Sequence, residues 1–344
     1  MRIIEYTTYE DTKARLLDLA RNEIKSVYIL DRTDEVVRFL KSVRIPGASL
    51  GEAFDLCADV REEINRDTVC IEPSYFFQGP DEWVEDEHNY MRDEYRGNIV
   101  VHVPHASVLF PQFCKKSDFR IDDLADEINK VTDWYCDELF NVDTAMFVAP
   151  WSRLVYDMER FPDDNEEKMS EKGLGLIYTK TVDGRQLRVL PKWRTPPYLA
   201  SYRESQREFC RMVRDRIEDY GNCVIIDGHS FPDEPFPYEE RTVFNRPDIC
   251  IGTDRFHTPP ELRDAAFSAF RDAGYSVAVN FPYSGALVPY QLYKADSRAM
   301  SVMIEVNRRL YLTDDLKRKP DEFEKIRKII EKLTYEIPKL KFEQ

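Results

Sequence analysis

Two short apolar runs constrain this chain more than any other feature: NIVVHVPH (98–105) and CVIIDGHS (223–230). Each is rich in β-branched residues, unbroken by the alternation of a half-exposed strand, and closed by turn-forming residues, the pattern of a strand buried on both faces. Such strands need helices above and below them, so the sequence predicts an α/β fold: a mixed sheet flanked by helices on both faces. Helical periodicity over 121–140 and 198–219 supplies covering elements between the two runs. Further along, DICIG (248–252) and YSVAVNFP (275–282) read as strands, LRDAAFSAFRDAG (262–274) as a helix stopped by Gly274, and AMSVMIEVNRRLYL (299–312) as a last apolar run. An amphipathic tail helix carries Phe323, Ile326, Ile329, Ile330 and Leu333.

The segments MFVAPWSRLVYDM (146–158) and LGLIYTKTVDGRQLRVL (174–190) read as extended. Residues 1–96 form a small N-terminal αβ region, with a strand over 26–32 and a helix opening at Thr33, and residues 97–344 form the main domain. The sequence holds 64 acidic against 49 basic residues, a net charge of −15, which argues against nucleic acid and anionic lipid as partners. No stretch approaches the roughly 18 apolar residues of a membrane span. Seven scattered cysteines without CxxC pairs read as reduced thiols, and a cytoplasmic location follows as the expectation.

Both apolar runs end in a histidine, although the sequence has only five, at 88, 102, 105, 229 and 257. The C-terminal ends of strands are where open α/β sheets build their sites. Imidazole is a common zinc ligand, and His105 and His229 become candidate metal ligands that need a carboxylate to complete them. His102, on the strand itself, reads as a satisfied core histidine, and His88 and His257 fall in loops. Glu305 stands inside the apolar run VMIEVNRRLY, where burial raises a carboxyl pKa toward the range useful to a general base. The alternative there is a structural ion pair with Arg308, three residues on. Arg153 and Arg160 either bind a carboxylate with their planar forks or pair with the neighbouring acids at 157, 159, 163 and 164. KGLGLIYT lacks the ending of a phosphate loop and carries no nucleotide role.

Taken in order, VPHAS (103–107), SRLVYDMERFPDD (152–164), KGLG (172–175), VIIDGHS (224–230), RPDICIG (246–252), NFPYSG (280–285) and MIEVNRRLY (303–311) resemble the motif series of N-formylglutamate amidohydrolases, over about residues 97–315. The resemblance implies a fold related to zinc carboxypeptidases and hydrolysis of the formyl amide of an N-formyl amino acid, a small-molecule substrate, with one zinc ion held by His105 and His229. The acidic ligand that carboxypeptidase-type sites carry three residues after the first histidine is Val108 here. The segment VTDWYCDELF resembles the family's acidic helix and makes Asp133 the first candidate for the third ligand and Asp137 the second. If 121–139 is one helix, however, its apolar stripe faces away from both aspartates and leaves them in solvent.

The same resemblance implies Glu305 as general base and proton donor to the leaving amine, with Arg153 or Arg160 stabilising the oxyanion. Arg153, Arg160, Ser230, Asn280 and Gly285 are then substrate-binding candidates, Tyr283 or Tyr290 could add a donor at the pocket mouth, and Asp227 is a candidate to orient a ligand histidine. The family's Asp-x-Asn-Arg pattern has Glu159 in place of its asparagine. Two alternatives follow: a deacylase or peptidase acting on a larger N-acyl substrate, and a metal-free, catalytically silent binding domain.

Overall fold

The computed structural model describes residues 97–342 apart from 112, 164, 240–244 and 317, together with short pieces before them at 2–3, 8, 10–16, 43–44, 56 and 91–92. The expected strand at 26–32, the helix start at Thr33, and His88 lie outside the described residues.

Seven strands form one sheet among the described residues: β1 Met91–Arg92, β2 Ile99–Val103, β3 Ala145–Val148, β4 Cys223–Phe231, β5 Ile249–Gly252, β6 Val277–Val279 and β7 Ala299–Asn307. Their order is β1-β3-β2-β4-β7-β5-β6. The four central strands, β3, β2, β4 and β7, are mutually parallel, so their C-terminal ends share one edge. β1 is antiparallel to β3, β5 is antiparallel to β7, and β6 is parallel to β5, which makes the sheet mixed. The fold is α/β, as the unbroken apolar runs predict: all nine residues of β4 and all nine of β7 are buried.

Among the described residues from 97 on, the α-helices are α1 Leu124–Val131, α2 Cys136–Leu139, α3 Pro196–Tyr220, α4 Pro260–Arg271, α5 Arg308–Tyr311 and α6 Pro320–Glu336. α3 packs on β2 and β4, where its Phe209 stacks on His102 with ring centroids 4.3 Å apart. The opposite face is closed by Phe140, just past α2. An added Cβ at Gly228 would stand 2.7 Å from the Phe140 ring, so only glycine admits it there. α6 lies against α2, α4 and α5 and buries Phe323, Ile326, Ile330 and Leu333, side chains that each contribute about 2 kcal/mol when removed from water.

Local periodicity misleads at three places. The segment 146–158, read as extended, is strand only to Val148 and then turns. The segment 174–190, read as extended, is turns and isolated bridges at Lys180–Gln186 and Phe119–Arg188. The single helix expected over 121–140 is two, because the chain breaks at Thr132, whose backbone is extended, and turns left-handed at Tyr135 (φ 60°). Remote groups satisfy carbonyls at the break: the Arg308 guanidinium donates to the Lys130 carbonyl at 2.8 Å, and the Tyr311 hydroxyl to that of Trp134 at 3.0 Å. The break turns Asp133 inward and buries it, and the Asp133 amide donates to the His105 carbonyl at 2.9 Å.

Candidate active site

His105 lies two residues past the end of β2, and His229 lies near the end of β4, with Glu305 as its register neighbour on β7. Because alternate residues share a face, His229, Asp227 and Glu305 lie on the same side of the sheet as His102. The two imidazoles are buried, tilted by 55°, with ring centroids 5.0 Å apart.

Asp133 faces both of them. Its Oδ2 stands 3.6 Å from His105 Nδ1 and 3.3 Å from His229 Nδ1, while its Oδ1 accepts from Arg308 Nη2 at 2.8 Å. Arg308 also donates to Ser230 Oγ at 3.1 Å, so its guanidinium serves Asp133 and Ser230 rather than forming the ion pair with Glu305 that the sequence allowed. Burial opposes the charge on Asp133, but the two histidines and Arg308 hold its carboxyl well below the usual range.

Asp157 sits on the far side of His105, on the loop after β3. It is fully buried and accepts four hydrogen bonds: Oδ1 from His105 Nε2 at 2.8 Å and the Glu159 amide at 3.0 Å, and Oδ2 from Arg153 and the Tyr178 hydroxyl, both at 2.8 Å. Burial opposes its charge too, yet Arg153 and Arg160 keep its pKa well below the ordinary value, so it is a carboxylate. An acceptor of that kind holds a hydrogen on His105 Nε2 and leaves Nδ1 facing Asp133. The KGLGLIY stretch backs this loop, the Leu176 carbonyl accepting from the Asp157 amide at 2.9 Å and that of Leu174 from Arg160 Nε at 3.2 Å.

His229 Nε2 lies 3.3 Å from both Glu159 Oε1 and Asp227 Oδ1. Asp227 Oδ1 already accepts from His102 Nδ1 at 2.8 Å, and its Oδ2 from the Leu287 amide at 3.1 Å. Burial disfavours charge on His229, but Glu159, Asp227 and Asp133 outweigh it and push the imidazole well above its ordinary pKa. Glu305 behaves oppositely: burial raises its carboxyl to about 8, and its Oε2 is a buried atom with no hydrogen-bond partner.

The candidate residues do not all converge. His105, Asp133 and His229 form one group able to hold a metal ion; His105, Asp157 and Glu159 form a second, and Glu159, Asp227 and His229 a third. Arg153 and Arg160 turn inward onto Asp157, at 2.8 and 3.7 Å, instead of pairing at the surface. Ser230 is buried against Arg308. Asn280 is exposed and clasps Thr253 through both its amide atoms, while Gly285 adopts a left-handed φ of 108° in the loop whose Leu287 amide anchors to Asp227. Asp137 is half-buried and outside all three groups. The sequence alone did not single out Asp157 and Glu159 as members of the cluster; two acids interleaved with Arg153 and Arg160 were the available signal.

Among the described residues, five acidic side chains (Asp133, Asp157, Glu159, Asp227 and Glu305) crowd the two imidazoles, against three guanidiniums (Arg153, Arg160 and Arg308). The donor set of imidazole and carboxylate, at the edge where parallel strands end, suits a divalent cation.

A parallel-centred α/β sheet with a buried histidine–carboxylate cluster at its strand ends defines a hydrolase-type scaffold. The family model of N-formylglutamate amidohydrolase matches residues 97–312, and the chain belongs to that family of amidohydrolases. Among solved structures it is similar to an N-formylglutamate amidohydrolase from Ralstonia eutropha JMP134, at 21% identity over 70% of this chain and 93% of that one, with a TM-score of 0.60. It is also similar to a gene product of Agrobacterium tumefaciens, at 18% identity over 72% and 95% of the two chains, with a TM-score of 0.54. No curated protein matches the sequence. Among the described residues, no helix is long and apolar enough to cross a membrane.

Proposed function

We propose that residues 97–344 form a metal-dependent amidohydrolase domain acting on the amide of an N-formyl or other N-acyl amino acid, with a divalent ion, zinc by preference, held by His105 Nδ1, His229 Nδ1 and Asp133. The observation that carries this reading is the face-to-face arrangement of His105 Nδ1 and Asp133 Oδ2 at 3.6 Å. Asp157 accepts from His105 Nε2, which leaves Nδ1 facing the Asp133 carboxylate, and a divalent cation between the two would use both as ligands. A bound divalent ion would supply Lewis acidity toward the substrate carbonyl and acidify a water.

The chain's own groups have distinct tasks. Glu305, buried beside His229 and held near neutrality, takes a proton from the attacking water and returns it to the leaving nitrogen. Arg153 keeps a buried, unpartnered Nε–H and offers it to developing negative charge or to the substrate carboxylate. The products are a carboxylic acid, formate for a formyl substrate, and a free amino acid.

One observation favours substrates other than acidic ones: both arginines already answer to Asp157, and Glu159 adds a carboxylate next to them. The test is metal content of protein purified without chelator, followed by assay against N-formylglutamate and N-formyl and N-acetyl derivatives of neutral amino acids. About one zinc per chain, lost in His229→Ala, with hydrolysis of at least one substrate supports the proposal. Protein that takes up no metal and turns over nothing is a silent binding domain, and the proposal fails.

A further inference from the structure

We infer that Glu159 is a positioning residue whose carboxylate faces the outer nitrogens of both ligand imidazoles and tightens the metal centre through their charge. The inference rests on the metal-site reading above and assigns a role to a residue which that reading does not use.

The geometry is specific. Glu159 Oε1 lies 3.3 Å from His229 Nε2 and Oε2 lies 3.5 Å from His105 Nε2, so one carboxylate spans the two rings on the side opposite Asp133. Its backbone is fixed by the amide hydrogen bond to Asp157 Oδ1 at 3.0 Å. With Nδ1 of each ring turned to the metal, each Nε2 carries a hydrogen that needs an acceptor. His105 has one in Asp157, at 2.8 Å. His229 Nε2 is buried without a hydrogen-bond partner: Asp227 Oδ1, at 3.3 Å, is drawn toward His102 at 2.8 Å, and Glu159 Oε1 is the other carboxylate oxygen in reach. Glu159 is the carboxylate with capacity to spare, since its ion-pair contacts among the described residues are with the two imidazoles.

The contrast with Asp157 sharpens the role. Asp157 is neutralised by Arg153 and Arg160 and saturated by four donors, so it orients His105 with little charge left over. Glu159 makes no ion pair with either guanidinium, which both pair with Asp157 and feel Glu159 only at longer range, so its closest charge contacts are the imidazoles. A carboxylate behind a ligand histidine raises the basicity of the coordinating nitrogen and restrains the ring, and loss of such a partner typically weakens metal binding about 10–100-fold. Glu159 is also the less buried of the two, its side chain 20% accessible where that of Asp157 is fully buried. It can be changed without opening a core cavity.

The experiment is equilibrium competition for Zn(II) between a chromophoric chelator and the full chain, as wild type, Glu159→Gln, Glu159→Asn and Asp133→Asn, with circular dichroism to establish folding. Affinity 10–100-fold weaker in both Glu159 variants, and far weaker still in Asp133→Asn, is the expected result. Glu159 variants within twofold of wild type would overturn the role while leaving the metal centre intact. A loss in them equal to that of Asp133→Asn would overturn it differently, making Glu159 a direct ligand. A wild-type chain that binds no Zn(II) would overturn the metal reading itself, and this inference with it.

Discussion

Asp157 accepts from His105 Nε2 at 2.8 Å and from three further donors, which keeps a hydrogen on that ring nitrogen and turns Nδ1 toward Asp133. Asp157→Asn replaces an acceptor of four donors with an amide that carries donors of its own, and leaves the buried Arg153 charge unpaired. Breaking a buried pair in this way costs about 3–5 kcal/mol. We expect a stability loss of that size in urea unfolding, and Zn(II) binding about 10–100-fold weaker in the variant that remains folded. An Asp157→Asn protein as stable as wild type and equally tight for zinc contradicts the assignment.

Metal removal reads the same site through stability. An ion that binds only the folded chain stabilises it by about 4 kcal/mol when free metal exceeds its dissociation constant a thousandfold. For a domain of this size each kcal/mol moves the melting midpoint by about 2–4 °C. Chelator-treated protein is therefore expected to melt roughly 10 °C lower, to lose hydrolysis, and to regain both with zinc. A midpoint indifferent to chelator and to added zinc counts against His105, His229 and Asp133 as a ligand set.

Much of this site is legible in the sequence, and the illegible part has a physical cause. His105 and His229 stand out because buried strands write an unbroken apolar run and a histidine that ends one is conspicuous. Glu305 stands out because a carboxyl inside such a run has to be accounted for. Asp133 cannot be placed by periodicity: the apolar stripe of 121–139 is that of one helix, and the break that buries the aspartate is held by Arg308 and Tyr311, more than 170 positions away. Local pattern carries no record of such partners. Asp157 and Glu159 escape notice for a different reason, since in SRLVYDMERFPDD the arginines draw the functional reading and the acids look like their surface counterions; burial reverses that order.

Glu305→Gln separates chemistry from binding. The amide keeps shape but cannot take a proton, so kcat is expected to fall by about 100- to 10,000-fold while zinc content stays near wild type. The same variant tests the carboxyl's environment in metal-free protein. A carboxyl raised by burial from 4.5 to about 8 favours the folded state below pH 4.5, and that contribution is lost as pH rises toward 8. Wild type should thus lose stability between pH 5 and 8 relative to Glu305→Gln, which carries no such titration. Parallel stability profiles for the two chelator-treated proteins would place Glu305 in solvent and remove its claim to be the base.

Gly228 offers a change that strains the fold next to the site without removing a functional group. It separates Asp227 from His229, and its missing side chain is what lets Phe140 lie flat on β4: a Cβ there meets three ring carbons at 2.7, 2.8 and 2.9 Å. Phe140 is itself fully buried, so the ring has no exposed route of retreat. Gly228→Ala is expected to cost about 1–3 kcal/mol through overpacking, read as a lower urea midpoint at unchanged m-value. Pairing it with Phe140→Leu makes room for the methyl, so the double variant should lose less than the sum of the two single changes. Strict additivity would mean that the contact between residue 228 and the Phe140 ring is not what selects glycine on this strand.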